Sequence, residues 1–117
     1  MQGLPLGGLR YYERLDSTNS EALRWVDQAA PDLALVVADA QSEGRGRQGR
    51  RWFTPPGLAL AFSLVLRPGE DEKDSIPLFT GLGALAVCFA LDEKYSLKPS
   101  IKWPNDVLLD GRKFCGI

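Results

Sequence analysis

The sequence contains no histidine among its 117 residues and only two cysteines. Without histidine the chain has no imidazole to act as a general base, no histidine-based catalytic triad and no histidine ligand for zinc. Cys88 and Cys115 stand far apart in apolar runs, and neither belongs to a Cys-x-x-Cys pair. Because no secretory signal precedes them either, this cysteine usage favours a reduced, cytoplasmic protein.

The chain also lacks a long apolar run and an excess of either charge. No apolar run approaches the roughly 20 residues needed to span a bilayer, so we expect no membrane partner. Fourteen basic residues against fifteen acidic residues give a net charge of −1. A chain of this charge is not a general polyanion binder, and an anion site must be local. The length, with 44% hydrophobic and 25% charged residues, fits one ordinary globular domain at most.

Hydrophobic periodicity predicts two helices and a set of short strands. The helices are expected at residues 18–30 and 78–94, and the strands at 9–15, 35–39, 58–66, 100–103, 107–109 and 112–117. The first helix should begin at Thr18, because Thr18 and Glu21 have the spacing of a capping box. Asp110-Gly111 is the strongest hairpin signal in the chain. These elements predict an α/β (α+β) fold with a mixed or antiparallel sheet, incomplete where the chain stops in its last strand, after a flexible start at residues 1–8.

Two further stretches have a structural interpretation. The run Glu70 to Asp74 is expected to be a solvated acidic loop. The small residues of the second helix suit close packing against a sheet rather than a binding site; they are Gly81, Gly83, Ala84 and Ala86.

One stretch stands out from the rest, Gly44 to Trp52, which reads GRGRQGRRW. It holds four arginines and three glycines, and no acidic residue lies within it. Arginine presents a planar fork of donors that matches phosphate and carboxylate, and glycine lets a backbone pass close to a ligand. The stretch therefore predicts a loop that closes over an anion.

Three other interpretations of this loop were weighed. Its glycines fit the G-x-G-x-x-G of dinucleotide-binding proteins, but that motif must open a helix, and Arg-Arg-Trp-Phe-Thr-Pro-Pro cannot start one well. The arginines with Trp52 and Phe53 could bind RNA or single-stranded DNA, although the basic patch is small. A solvated surface loop would leave four arginines to repel one another without an acid nearby.

Polar residues elsewhere in the chain could join the loop in one site. Arg45 and Arg47 would project to the same side if the loop is extended. Lys102 lies on a short strand before Asn105 and Asp106, and Gln41 stands between a strand and the loop. Together with the hydroxyls and amide of residues 17–19, at a helix start, they could hold a neutral polar ring at one end and phosphate plus carboxylate at the other.

At these residues the chain resembles the biotin protein ligases, or biotin–[acetyl-CoA-carboxylase] ligases. Three motifs carry the resemblance in the family's order: Asp16-Ser17-Thr18-Asn19, then Gln41 with Gly44 to Trp52, then Lys102-Trp103-Pro104-Asn105-Asp106. Lipoate ligases carry a different arginine–glycine motif followed by a histidine, which this chain lacks. The resemblance covers residues 9–117, as the N-terminal part of the catalytic domain.

The resemblance implies a fold related to class II aminoacyl-tRNA synthetases and a two-step reaction. Biotin and ATP, with Mg²⁺, give biotinyl-5′-AMP and pyrophosphate, and the biotinyl group then passes to a lysine of a biotin carboxyl carrier protein. It also implies a homodimer. We expect neither the winged-helix DNA-binding domain of the family's bifunctional members nor the small C-terminal β-barrel domain, and hence no DNA partner.

The resemblance also assigns the site residues. Arg47 and Lys102 are implied to be catalytic, and no metal is held by the protein itself. Biotin would be bound by Ser17, Thr18, Asn19, Gln41, Arg45, Gly46, Arg47 and Lys102. ATP and the adenylate would be bound by Gly44, Arg45, Arg47, Trp52 and Asn105.

Physical chemistry agrees with this assignment, because the biotin carboxylate is already ionised at pH 7 and its activation needs no general base. The obstacle is the approach of one anion to another, which positioned cations relieve. Two alternatives stay open. The chain is a ligase fragment that binds ligand or self-associates without turnover, or it is a small nucleic-acid-binding domain that uses the arginine loop.

Overall fold

The computed structural model describes residue 3 and residues 5–117. The expected flexibility of residues 1–8 falls in part on residues 1, 2 and 4, which lie outside the described residues. The chain divides into two compact units, the first ending at Arg67 and the second formed by Pro68–Ile117.

The first unit is a three-stranded mixed sheet with one helix. Its elements are β1 (Gly8–Leu15), α1 (Thr18–Asp27), β2 (Ala34–Gln41) and β3 (Ala61–Leu64). β1 pairs in parallel with β2, and β3 pairs antiparallel on the other side of β2. Because α1 returns the chain between the two parallel strands, both strands end at the same edge, with Leu15 opposite Gln41. The start of α1 therefore lies beside the end of β2.

The helix α1 begins where the sequence predicts, but its cap is one residue earlier. Ser17 has extended backbone angles, and its hydroxyl oxygen accepts the Ser20 N–H at 3.3 Å. The expected capping box of Thr18 and Glu21 is wrong, because the Glu21 carboxylate is bonded to Arg24 and to the Tyr12 hydroxyl. Thr18 is thus the first helical residue, and its own polar groups are available for other contacts.

The core of the first unit is built from small apolar side chains. Alternate residues of β2 face α1 and are fully buried, as the period of a strand requires. Tyr12, Leu15 and Trp25 close the sides of this core, and its buried members are Ala22, Ala30, Ala34, Val36 and Val65. Small side chains on both layers let α1 lie close to the sheet, which fixes its N-terminus against Gln41.

The second unit is a helix with an antiparallel sheet of three strands. A 3-10 helix over Glu70–Leu78 leads into α2 (Phe79–Tyr95), followed by β4 (Ser100–Lys102), β5 (Asp106–Leu109) and β6 (Arg112–Gly116). The acidic run predicted to be a loop forms the first part of the 3-10 helix. Asp110 and Gly111 have φ angles of 51° and 77°, the left-handed values of a tight two-residue hairpin, so that prediction is confirmed.

Gly81 and Ala84 of α2 pack closely within the second unit, as expected, but Ala86 is exposed, so the prediction is wrong for that residue. An added Cβ at Gly81 would lie 2.6 Å from the Trp103 ring, and Ala84 is fully buried. Val107 of β5 is the other fully buried residue of this unit's core. A glycine at position 81 is therefore required by the indole against the helix.

One helical segment is more apolar than the sequence reasoning allowed. Glu70–Tyr95 spans 26 residues and contains an 18-residue window with a mean hydropathy of 1.7, and by length and composition alone it could cross a membrane. The expectation that no apolar run approaches that length is wrong on this measure. Length and composition are weak evidence on their own, because the core helix of a soluble protein also meets them.

Candidate functional site

Two of the predicted site residues are joined at the edge where β1 and β2 end. The Thr18 backbone N–H donates to Gln41 Oε1 at 2.7 Å, and Thr18 Oγ1 lies 3.2 Å from the same oxygen. Thr18 and Ser17 are 4% and 3% exposed, so both hydroxyls lie inside the unit rather than on its surface. One of the unpaired N–H groups at the start of α1 is thus satisfied by a side chain from β2.

Two hydroxyls that the sequence analysis missed complete this cluster. Ser63 Oγ lies 3.0 Å from Thr18 Oγ1 and donates to Asn19 Oδ1 at 3.2 Å. Thr54, 3% exposed, accepts the Gln41 Nε2–H at 3.3 Å. The available signal for Ser63 was its place in an apolar strand, at the one inward position between Ala61 and Val65 that is polar. We call Thr18, Asn19, Gln41, Thr54 and Ser63 the hydroxyl–amide cluster.

The arginine loop is folded into a short hairpin. The Trp52 N–H donates to the Gly44 carbonyl at 2.8 Å, and the Gly46 N–H donates to the Arg50 carbonyl at 2.7 Å. Arg45 lies opposite Arg51 in an isolated antiparallel bridge. A 3-10 turn over Arg47–Gly49 reverses the chain, with Gln48 at φ 59° and Gly49 at φ 75°. The expectation of an extended loop through Arg47 is therefore wrong, because the turn begins at that residue.

The glycines of the loop are not equivalent. An added Cβ at Gly44 would lie 2.5 Å from the Trp52 carbonyl oxygen and 2.8 Å from Gln41 Nε2, so only glycine fits where the hairpin closes. At Gly46 the nearest atom would be Arg50 Cβ at 3.5 Å, an ordinary contact. Gly44 is thus a position at which the loop lies close to Gln41.

The Arg45 side chain ties the loop to the start of α1. Arg45 Nη2 donates to Ser20 Oγ at 2.7 Å. A cleft of about 380 Å³ lies at this contact, and its lining residues are Ser20, Glu43, Gly44, Arg45, Gly46, Gly49, Arg50 and Arg51. Three arginines against one acid, Glu43, give this lining a net positive charge, and Ser20 comes from the first turn of α1, so the cleft suits an anionic ligand.

An exposed ion-pair network holds the capping residue Ser17 in place. Arg24 binds both carboxylate oxygens of Asp16 at 2.9 Å and also contacts Glu21 at 2.8 Å. Asp16 Oδ1 in turn accepts the Ser17 N–H at 2.7 Å. The hydrogen bond from Arg24, with that from the Ser17 N–H, lowers the pKa of Asp16 to about 2. Asp16 therefore stays ionised in neutral solution and holds the first turn of α1 in place.

The remaining predicted residues lie in the second unit. Lys102 is exposed at the end of β4. The Asn105 carbonyl accepts the Ile117 N–H at 2.8 Å, so Asn105 ties down the end of the chain after β6. Lys113 Nζ lies 3.1 Å from Asp106 Oδ1. Among the residues that the structure describes, no three histidine, cysteine or acidic side chains lie close enough together to hold a metal ion.

Of the residues predicted in the first unit, the structure brings together Thr18, Asn19 and Gln41 in the cluster, and Gly44, Arg45 and Gly46 at the cleft. Ser17 caps the helix that carries the first two. Trp52 is half-buried at the closing end of the hairpin, and Arg47 is exposed at its turn. The arginine cleft and the hydroxyl–amide cluster are linked through Gln41, whose amide contacts Thr18 on one side and approaches Gly44 on the other.

Comparisons with known proteins point to one family. The model of the biotin/lipoate A/B protein ligase family matches residues 11–117. The chain is 40% identical over 109 residues to the bifunctional ligase/repressor BirA of Bacillus subtilis (strain 168), covering 93% of this chain and 33% of that protein. It is 44% identical over 108 residues to the biotin–[acetyl-CoA-carboxylase] ligase of Paracoccus denitrificans, covering 89% and 43%.

A solved structure gives the same result for the fold. Biotin protein ligase from Aquifex aeolicus in complex with biotin and ATP superimposes with a TM-score of 0.70 at 33% identity, over 91% of this chain and 43% of that one. The expected ligase fold is thereby confirmed. The chain spans 33% of the length of the first of these relatives and 43% of the second, so less than half of each.

Proposed function

The chain belongs to the biotin/lipoate A/B protein ligase family, and we propose that it activates biotin with ATP to biotinyl-5′-AMP and transfers the biotinyl group to a lysine of a biotin carboxyl carrier protein. The observation that carries this proposal is the bond from Arg45 to Ser20 at 2.7 Å, which joins a cationic loop to the helix start beside a neutral polar cluster. Biotin has a carboxylate at one end and a neutral cyclic urea at the other, and the two parts of the site match these ends.

The first step is an attack by one anion on another. A biotin carboxylate oxygen bonds to the α-phosphorus of ATP, and the bond from that phosphorus to the pyrophosphate oxygen breaks. Both partners are negative, so positioned cations lower the barrier. Arg45, Arg47 and Lys102 supply positive charge in this proposal, with Arg47 and Lys102 as the catalytic residues and Mg²⁺ entering with ATP as part of the substrate.

The rest of the site binds and orients the two substrates. Ser17, Thr18, Asn19 and Gln41 would take the cyclic urea with neutral hydrogen bonds, which a buried cluster can supply without burying a charge. Gly44 would contact the nucleotide and Gly46 the biotin through the loop backbone. Trp52 would cover the adenylate, and Asn105 would act on the nucleotide side.

The second step needs no redox chemistry and no protein-bound intermediate. The neutral amine of the carrier lysine attacks the acyl carbon of biotinyl-5′-AMP, and the bond from that carbon to the phosphate oxygen breaks. AMP leaves, and the attacking nitrogen gives up one proton to solvent as the amide forms. The names of the relatives support this partner and substrate pair. A cytoplasmic homodimer completes the proposal.

Biotin-dependent exchange of radiolabelled pyrophosphate into ATP tests the proposal on the 117-residue chain. We expect exchange only with biotin present, and a loss of about tenfold to a hundredfold in Arg45→Ala, because a hydrogen bond to a charged group is worth about 1.5–3 kcal/mol. Arg14→Ala, which removes an exposed arginine of β1, is the matched control. Stabilisation by biotin without exchange would indicate a fragment that binds without turnover.

A third outcome would favour the nucleic-acid interpretation. In that case neither biotin nor ATP changes the melting temperature, while single-stranded RNA binds with an affinity that falls steeply as salt rises. Either alternative would contradict the proposed turnover.

A further inference from the structure

Ser63 is not among the residues assigned to biotin or ATP, yet it belongs to the hydroxyl–amide cluster. Its hydroxyl oxygen lies 3.0 Å from Thr18 Oγ1 and 3.2 Å from Asn19 Oδ1. Both neighbours belong to the first turn of α1, whereas Ser63 comes from β3, which pairs with β2. Ser63 thus connects the far strand of the sheet to the polar start of the helix.

The cluster has fewer hydroxyl hydrogens than contacts. Thr18 Oγ1 is near Gln41 Oε1 at 3.2 Å and near Ser63 at 3.0 Å, and Ser63 is near Asn19 Oδ1 at 3.2 Å. These are three contacts, but Thr18 and Ser63 have one hydroxyl hydrogen each. One contact is therefore always without a hydrogen. If it is the contact between the two hydroxyls, their oxygen lone pairs face each other at 3.0 Å, which is unfavourable, so two arrangements of the hydrogens remain.

In the first arrangement Ser63 donates to Thr18, and Thr18 donates to Gln41 Oε1. That oxygen already accepts the Thr18 backbone N–H at 2.7 Å, so both of its lone pairs are then occupied. In the second arrangement Thr18 donates to Ser63, and Ser63 donates to Asn19. One lone pair of Gln41 Oε1 is then left for a ligand N–H.

The orientation of the Gln41 amide does not change between these arrangements. Thr54 Oγ1 accepts the Gln41 Nε2–H at 3.3 Å, and the Thr18 backbone N–H holds the amide oxygen on the opposite side. The amide is therefore held from both ends, and the two arrangements differ in the hydroxyl hydrogens of Thr18 and Ser63.

We propose that Ser63 is a positioning residue for the ligand. It draws the Thr18 hydroxyl hydrogen away from Gln41 Oε1 and so frees an acceptor for an N–H of the ligand's cyclic urea. This inference rests on the proposed function, because the ligand it invokes is biotin. Ser63 acts through Thr18 and Gln41 and is not itself a catalytic residue.

Calorimetric titration with biotin tests this role. Ser63→Ala leaves Gln41 as the only acceptor for the Thr18 hydroxyl, so we expect biotin to bind about threefold to tenfold more weakly, the effect of one neutral hydrogen bond. Ser63→Thr retains the hydroxyl and should bind within about twofold of the unsubstituted chain. Ser42→Ala, at an exposed serine next to Gln41, is the matched control and should also stay within about twofold.

A double-mutant cycle separates this mechanism from a structural effect. Thr18→Val removes the hydroxyl hydrogen that Ser63 directs, so adding Ser63→Ala to Thr18→Val should change the biotin Kd less than about twofold. Far-ultraviolet circular dichroism checks the fold of each variant. An equal loss from Ser63→Ala in both backgrounds, or no loss in either, would overturn the inference alone. No biotin binding by the unsubstituted chain would overturn the proposed function and the inference with it.

Discussion

Replacing Gly44 by alanine should open the arginine loop at its base. The new methyl carbon would lie 2.5 Å from the Trp52 carbonyl oxygen, and ordinary contact begins at 3.4 Å, so the two chain segments must separate by about 0.9 Å. The same methyl would lie 2.8 Å from Gln41 Nε2, which strains the amide that Thr18 and Thr54 hold. Overpacking of this kind costs about 1–3 kcal/mol of stability.

Gly46→Ala is the matched control for this substitution. The nearest atom to its new methyl would be 3.5 Å away, so the loop should close normally. A fitting alanine also restricts the unfolded chain, and stability should be unchanged or rise by up to about 1 kcal/mol. The two variants thus place the same methyl group at two glycines of one loop. Gly44→Ala should lower the free energy of unfolding, whereas Gly46→Ala should leave it unchanged or raise it.

Urea unfolding followed by circular dichroism measures the difference, and amide hydrogen exchange locates it. The Trp52 N–H donates to the Gly44 carbonyl at 2.8 Å, so its protection should fall in Gly44→Ala and persist in Gly46→Ala. Equal unfolding midpoints for the two variants, with Trp52 equally protected in both, would refute the account of how the loop is closed.

Three further predictions follow from named contacts. The pKa of Asp16 is lowered from 3.8 to about 2 by the bonds from Arg24 and the Ser17 N–H, so its contribution to stability is present above pH 3.8 and is lost as the pH falls toward 2. Urea midpoints across this range should fall less steeply in Asp16→Asn, and parallel curves would contradict the prediction. Thr54→Val, which removes the acceptor of the Gln41 amide, should weaken biotin binding about threefold to tenfold, whereas Thr54→Ser should not. Gly81→Ala should lower stability by about 1–3 kcal/mol, because its methyl would lie 2.6 Å from the Trp103 ring, and Gly83→Ala, at 3.2 Å from Ile117, should cost less.

The sequence was sufficient to predict most of the elements because their signals are local. The helix α1 begins at Thr18 as expected, and Asp110-Gly111 forms the expected hairpin. The capping residue was predicted one position late, because Ser17, Thr18 and Asn19 are all good caps. Only the tertiary contacts of Thr18 with Gln41 and of Glu21 with Arg24 decide between them.

Site residues that belong to a sequence motif could be predicted, whereas those that join the site only through tertiary contacts could not. The arginine–glycine run identifies the loop. The fold of that loop depends on backbone hydrogen bonds between residues four and eight positions apart, such as the bond between Gly44 and Trp52, and no motif specifies them. Ser63 and Thr54 belong to no motif. They enter the site because β3 pairs with β2 and because Thr54 pairs with Gln41, and strand pairing at this separation is set by the whole unit.

The central claim is that the arginine cleft and the hydroxyl–amide cluster form one biotin site in the first unit. Titration of the isotope-labelled chain with biotin, followed by nitrogen–proton correlation spectra, tests it most directly. We expect shifts at the Thr18 backbone amide, the Gln41 side-chain amide and the Gly44 amide, in parallel with one another. Shifts confined to a second cleft, about 520 Å³ and lined by residues 109, 110 and 112–114 of the β5–β6 hairpin, would contradict it, as would a spectrum that biotin leaves unchanged.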